Sequence, residues 1–340
     1  MPSETTRAAV TAHAVPDLGL GGYPELLFQP AIDLTTGQIL GFEALVRWVA
    51  PGKGTIWPVK LLPWAEARGQ MKALNAWVVN EASMQALQWP SSMQVAVNCS
   101  TLQLSRSEAA SAASEALARS GLAPDRLTIE VTEASLVAER ADAELHALAR
   151  LGVQLTIDGV GGEPSLLRGF PLGACTMKID GELVRSLEGP EPKGRVVVET
   201  IVNLSRSLGI CSVAECVENY RQVAALRELR VDVAQGYFFS PPLSADDART
   251  IANASPPLDF HAEILASESR SATLYDAQPL RETPDLRDAK QGEYGPRVTR
   301  PSLKAGRSGQ LQFRLARAFS DVSDLIDDLN RALEEVEALG

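Results

Sequence analysis

Six polar residues recur at the ends of short apolar runs. QVAVN ends at Asn98, LTIEV carries Glu130, VQLTID ends at Asp158, CTMKID carries Lys178, CSVAE ends at Glu215, and the run through VDVAQ reaches Gln235. The intervals between them are 32, 28, 20, 37 and 20 residues, about one strand–helix unit each. Carboxylates joined by an Asn amide oxygen are hard-oxygen donors that suit Mg2+ or Mn2+. Packed together without a cation they would repel one another and take up protons. Their types and phase therefore predict a metal site with a lysine beside it.

Such a site needs a scaffold that brings distant strand ends together. LTIEV (127–131) and VQLTID (153–158) read as strands. Leu145, Leu148 and Leu151 mark a helix between them, and Val197, Val198, Ile201, Val202 and Leu204 mark another over 196–208. Strand–helix alternation implies parallel strands with crossover helices. In a (β/α)8 barrel the C-terminal strand ends converge on one mouth, where the active site sits. The α/β fold class predicted is a TIM-like barrel over residues 21–250, preceded by a flexible leader at 1–20.

The last 90 residues change character. Residues 251–310 hold six prolines and equal numbers of acids and bases, and read as a disordered linker. In 311–340, Leu315, Phe319, Val322, Ile326, Leu329, Leu333 and Val336 are spaced alternately by four and three. That 3.5-residue period is the seam of a coiled coil, and predicts a homodimer or a coiled-coil partner protein. An amphipathic helix folded back on the barrel satisfies the same spacing.

Composition narrows the remaining choices. The 340 residues carry 43 acidic and 32 basic side chains, net charge −11. This argues against a DNA or RNA binder, which needs basic surface for phosphates. Residues 21–250 contribute −6 and residues 311–340 contribute −4, so the acid excess divides between the predicted metal cluster and the tail. Cys99, Cys175, Cys211 and Cys216 form no CxxC pair, which fits a reducing cytoplasm without structural zinc. No apolar run approaches the ~20 residues that span a bilayer, and a cytoplasmic protein is expected. His13, His146 and His261 lie in leader, helix and linker patterns, which leaves carboxylates as the reactive groups.

FQPAIDLTTGQILGFEALVRW (28–48) resembles the opening of the EAL domain, with its signature Glu43-Ala44-Leu45. VNCS (97–100), IEVTE (129–133), KID (178–180), AECVE (214–218) and QGYFFSPPL (235–243) continue in that family's order. The resemblance covers about residues 22–247. It implies a TIM-like barrel with one antiparallel strand that hydrolyses cyclic di-GMP to linear pGpG with two divalent metals. By resemblance, Glu43, Asn98, Glu130 and Asp158 bind the first metal, and Asp158 bridges to the second. Glu215 stands nearby as ligand or base, Lys178 holds water or the scissile phosphate, and Glu218 and Gln235 complete the inner wall. Gln29, Leu45 and Arg47 would face the dinucleotide, and Glu133 would brace the metal-site loop. The chemistry is coherent, because two cations lower the water pKa and clamp both reacting oxygens while Lys178 offsets developing charge.

One loop departs from the family pattern. Where the family reads DDFGTGYSSL, this chain reads DGVGGEPSLL from Asp158. The second Asp, a ligand of the second metal, is Gly159 here, and the family's Gly–Tyr pair is Glu163-Pro164. Glu163, five residues past Asp158, is a candidate replacement ligand. Cys216 stands where the family has Gly. The sequence therefore predicts a cyclic di-GMP binder whose phosphodiesterase activity is weak or lost. A competent two-metal phosphodiesterase and a nucleotide-independent scaffold acting through the tail are the alternatives.

Overall fold

Gln29 faces Glu43 across an antiparallel hairpin of β1 (Tyr23–Asp33) and β2 (Ile39–Ala50). The carboxylate of Asp33 shapes the turn, accepting the backbone N–H of Thr35 and of Thr36 at 2.8 Å, a local bond that substitutes for ladder pairing. The computed structural model describes residues 16–52, 54–161, 174–189 and 193–254. A three-residue strand β3 (Gly54–Ile56) pairs with the outer end of β2.

Six further strands then run parallel to β2 in chain order: β4 (Gln94–Cys99), β5 (Leu127–Thr132), β6 (Gln154–Val160), β7 (Ala174–Ile179), β8 (Cys211–Ala214) and β9 (Val233–Ala234). β9 pairs antiparallel with β1, which closes an eight-stranded ring with β3 outside it. β1 is antiparallel to both neighbours, as the family resemblance implies. The TIM-like barrel read from strand–helix alternation is the observed fold.

Helices cover the outside: α1 (Pro58–Ala67), α2 (Met71–Ala86), α3 (Thr101–Ser105), α4 (Ala109–Ser120), α5 (Ala141–Leu151), α6 (Gly181–Ser186), α7 (Lys193–Leu208), α8 (Tyr220–Glu228) and α9 (Ala245–Ala254). Their starts are chemically marked. Ser100 and Gln103 form a reciprocal capping box on α3. The Asn219 carboxamide accepts from the N–H groups of Arg221 and Gln222 to cap α8. The predicted apolar stripes face the barrel, with Leu145 and Leu148 of α5 and Val198, Ile201, Val202 and Leu204 of α7 all buried.

Strand alternation sorts the side chains. Phe28 and Phe42 point outward into the helical layer and pack on Trp89, with ring centroids 5.4 and 4.7 Å away. Full burial of each Phe contributes about 1.5–3 kcal/mol. The opposite face of the same strands lines the barrel interior, and that face carries the polar residues.

Two boundaries differ from the sequence reading. The leader expected over 1–20 is packed at its end: Leu18 is fully buried, and its carbonyl accepts the Trp64 indole N–H at 3.1 Å. The barrel unit expected to stop at 250 continues through α9 to Ala254. The rest of the predicted linker, the heptad segment at 311–340 and Glu163 lie outside the described residues.

Candidate functional site

The ladder register brings the distant polar residues to one end of the barrel. Asn98 sits beside Glu130 across β4–β5, and Thr132 beside Asp158 across β5–β6. Lys178 on β7 lies beside Val213 on β8; the strand ends at Ala214, and Glu215 follows directly. Gln235 likewise follows β9. Each polar residue thus lies within the last three residues of its strand or one step beyond its C-terminal end. Beneath them Thr128, Thr156 and Thr176 are completely buried, a hydroxyl layer between the site and the barrel floor.

Lys178 is the hub. Its side chain is fully buried, and Nζ stands 3.3 Å from Glu130 Oε2 and 3.3 Å from Asp158 Oδ1. It also forms an ion pair with Glu215 Oε1. A buried ammonium is costly unless paired, and three carboxylates satisfy this one. Asn98 donates its amide N–H to Glu43 Oε1. Glu43 is completely buried, and desolvation together with repulsion from Glu130 pushes its carboxyl up to about 8.

The rim residues divide. Gln29 is buried and donates its amide to the Ser240 carbonyl at 3.1 Å, which ties β1 to the QGYFFSPPL segment. Leu45 and Arg47 follow Glu43 on the same face of β2 and are buried. Gln235 is buried, and among the described residues neither side-chain amide atom has a hydrogen-bond partner. Glu218 differs: it is exposed, three residues beyond Glu215, and outside the Lys178 ion-pair cluster. Glu133 opens the short 3-10 turn Glu133–Val137 after β5 and is half-buried.

Several supporting residues escaped the sequence reading. The Ser135 hydroxyl bonds Thr132 Oγ1 at 2.6 Å and Thr101 Oγ1 at 2.7 Å, which couples the loops after β4 and β5. Gln222 accepts the Glu218 N–H at 2.7 Å and donates to Glu188 Oε1 at 2.6 Å. It thereby locks the Glu215–Glu218 loop to the end of α6. The four-residue spacing of Glu218 and Gln222 was visible, but Glu188 lies 30 residues upstream. Trp57, beside Arg47, carried no signal at all.

The two family departures have distinct backbones. β6 runs on through Gly159 and Val160 rather than ending at Asp158. Gly159 has φ +71°, and a Cβ there would meet no atom of the described residues within 4 Å. Cys216 has φ +53°, the left-handed region that favours glycine, which explains the family's preference there. Its sulfur abuts α6: a Cβ on Gly181 would stand 2.8 Å from Cys216 Sγ.

The donor chemistry fits a divalent cation. Glu43 Oε2 and Asn98 Oδ1 are buried without a hydrogen-bond partner among the described residues, and both are hard oxygens beside Glu130 and Asp158. Among the described residues, however, no three acidic, His or Cys side chains form a ready-made cage; Lys178 is the cation that the carboxylates gather around.

A sequence profile of the EAL domain matches residues 22–242. The chain belongs to the EAL domain family. Its EAL domain is similar to the cyclic di-GMP phosphodiesterase NbdA of Pseudomonas aeruginosa, 35% identical over 228 residues, covering 64% of this chain and 29% of that protein. The bifunctional diguanylate cyclase/cyclic di-GMP phosphodiesterase MucR of the same organism is 34% identical over 229 residues, covering 65% and 33%. This chain thus spans about a third of the length of these relatives. The solved MucR phosphodiesterase, a cyclic di-GMP complex, matches with TM-score 0.60 at 31% identity, covering 66% of this chain and 93% of that one. The Klebsiella pneumoniae BlrP1 manganese/cyclic di-GMP complex matches with TM-score 0.57 at 29% identity, covering 68% and 59%. No helix among the described residues is long and apolar enough to cross a membrane.

Proposed function

We propose that this EAL domain binds cyclic di-GMP and hydrolyses it to linear pGpG only weakly. The observation that carries this reading is the convergence of Glu43, Asn98, Glu130, Asp158, Lys178 and Glu215 at one barrel end, with glycine at position 159. Glu43, Asn98, Glu130 and Asp158 would hold a Mg2+ or Mn2+ ion. When bound, such ions supply Lewis acidity to the phosphoryl group and acidify water. The family's second metal would have one carboxylate fewer here, because Gly159 brings no oxygen.

The chain's own residues supply the rest. Arg47 and Gln29 orient the dinucleotide at the rim, with Leu45 as the apolar contact and Gln235 closing the wall. Lys178 places positive charge where the phosphoryl oxygens gain negative charge. Glu215, already the partner of Lys178, accepts the proton of the attacking water. Water oxygen bonds to phosphorus, one ring P–O bond breaks, and the leaving ribose oxygen takes up a proton, returned from Glu215 through solvent, so that the ring opens to the linear dinucleotide and Glu215 is restored as a carboxylate. Glu218, exposed at the loop, acts at the edge of the site, and Glu133 supports the loop after β5. Retention of Lys178 with Glu215 favours the alternative of full turnover, and the measured rate decides between the two.

Calorimetric titration with cyclic di-GMP in Ca2+ tests binding; absence of heat up to high micromolar ligand overturns the reading. Chromatography of products with Mg2+ or Mn2+ tests turnover, and rapid wild-type formation of pGpG overturns the weak-activity half. The heptad spacing of 311–340 further supports self-association or a coiled-coil partner. Removal of 311–340 should lower the oligomer mass in light scattering, and an unchanged mass removes that proposal.

A further inference from the structure

β3 spans three residues and lies outside the closed ring. Its register gives it a purpose. Ala50 faces Gly54, Val49 faces Thr55, and Trp48 faces Ile56. One step further along the same antiparallel register brings Trp57 opposite Arg47. The Arg47 guanidinium carbon lies 4.3 Å from the centroid of the Trp57 ring.

Trp57 is itself held firmly. Its backbone is extended at φ −83° and ψ 157°, the conformation that a following proline imposes, and Pro58 follows. Its carbonyl accepts the N–H groups of Lys60 and Leu61 at 3.0 and 2.9 Å, so Trp57 is the N-cap of α1. The backbone that carries the ring is thus fixed between the end of β3 and the start of α1.

Arg47 is a buried cation whose charge is favoured by Glu43, two residues away on the same face of β2. It is 5% exposed, whereas Trp57 is 51% exposed. Among the described residues it makes no ion pair; one nitrogen donates to the Val46 carbonyl at 2.8 Å, and Nε has no hydrogen-bond partner. A guanidinium with one face on an indole and its Nε–H unengaged has a donor left for an anion.

We propose that Trp57 is the positioning residue for Arg47, fixing the guanidinium by cation–π stacking so that its N–H edge meets a phosphodiester of the ligand. This rests on the cyclic di-GMP reading above. A flexible arginine loses side-chain entropy when it binds phosphate, and a stacked one has already lost it.

The test is calorimetry of the full chain with cyclic di-GMP in Ca2+, comparing wild type, Trp57→Leu, Trp57→Phe, Arg47→Ala and the Arg47→Ala/Trp57→Leu double variant. Leucine keeps apolar bulk without a ring, and phenylalanine keeps a ring. Trp57→Leu should weaken binding about three- to tenfold, while Trp57→Phe stays within about twofold of wild type. In the Arg47→Ala background Trp57→Leu should cost nothing further. Equal affinity of Trp57→Leu and wild type overturns the proposal, as does the same loss with and without Arg47. Wild type that binds while the variants behave so refutes this inference alone. Wild type that gives no heat refutes the cyclic di-GMP reading and this inference with it.

Discussion

Lys178 on β7 and Asp158 on β6 meet at 3.3 Å, with the lysine side chain fully buried and the aspartate 6% exposed. The same ammonium serves Glu130 and Glu215. Removing it leaves three buried carboxylates without their cation. Breaking a buried pair costs about 3–5 kcal/mol. Lys178→Met is therefore expected to lower the chemical-denaturation midpoint of the chelated protein by that equivalent and to abolish pGpG formation. Added Mn2+ should restore part of the stability but not the turnover. Unchanged stability of the variant in chelator would refute the hub role.

Glu43 gives the fold a pH dependence. Its carboxyl is raised from 4.5 to about 8, first by desolvation and then by Glu130. Between those values the folded chain holds a proton that the unfolded chain releases, so stability falls as pH rises. In chelator the melting temperature should drop between pH 5 and 8, and Glu43→Gln should flatten that slope. A divalent cation should recover the loss at pH 8, because it replaces the proton. A melting temperature that rises across this window would contradict the assignment.

Gly159 is open to repair. Among the described residues a Cβ there meets nothing within 4 Å, and aspartate tolerates the left-handed backbone better than most residues. Gly159→Asp should raise pGpG formation on the order of 10- to 100-fold with Mn2+ at a stability cost of about 1 kcal/mol. Product chromatography beside a thermal melt measures both. No gain in rate would detach the weak activity from position 159.

Cys216 is strained where Gly159 is free. At φ +53° a side chain costs about 1–2 kcal/mol. Cys216→Gly should stabilise the protein by about 1 kcal/mol in denaturant titration. It also removes the sulfur from Gly181, so Gly181→Ala should be tolerated in the Cys216→Gly background and damaging in wild type. Equal effects in the two backgrounds would show that the sulfur is not the obstacle.

Much of the barrel was legible because its signals are local. Polar residues at strand ends announce themselves within five-residue runs such as LTIEV and VQLTID, and the intervening helices show their apolar stripes. That one strand is antiparallel came from the family resemblance; that it is β1 was not read, since nothing in the spacing of its residues distinguishes it. The Arg47–Trp57 stack and the Gln222–Glu188 bond were not legible, since each depends on a register or a crossing fixed only by the closed ring. The extension of β6 through Gly159 was missed because glycine reads as a strand ending, whereas here β7 pairs with the far side, Val160 facing Ile179. The exposure of Glu218 depends on how the loop after β8 turns at Cys216, which no motif encodes.

The ring closes on a narrow seam. β9 holds β1 by two residue pairs, Ile32 with Ala234 and Asp33 with Val233. A second staple follows, where Phe28 and Leu243 exchange two backbone hydrogen bonds of 2.8 Å. Gln235 sits between the two, and Gly236 must lack a side chain because any Cβ would overlap the Val217 carbonyl. The barrel is thus stitched shut by the same short segment that carries a wall residue of the site. Ligand that engages Gln235 would tighten the stitches, and amide exchange at Phe28, Ala234 and Leu243 becomes a gauge of occupancy distinct from any catalytic assay.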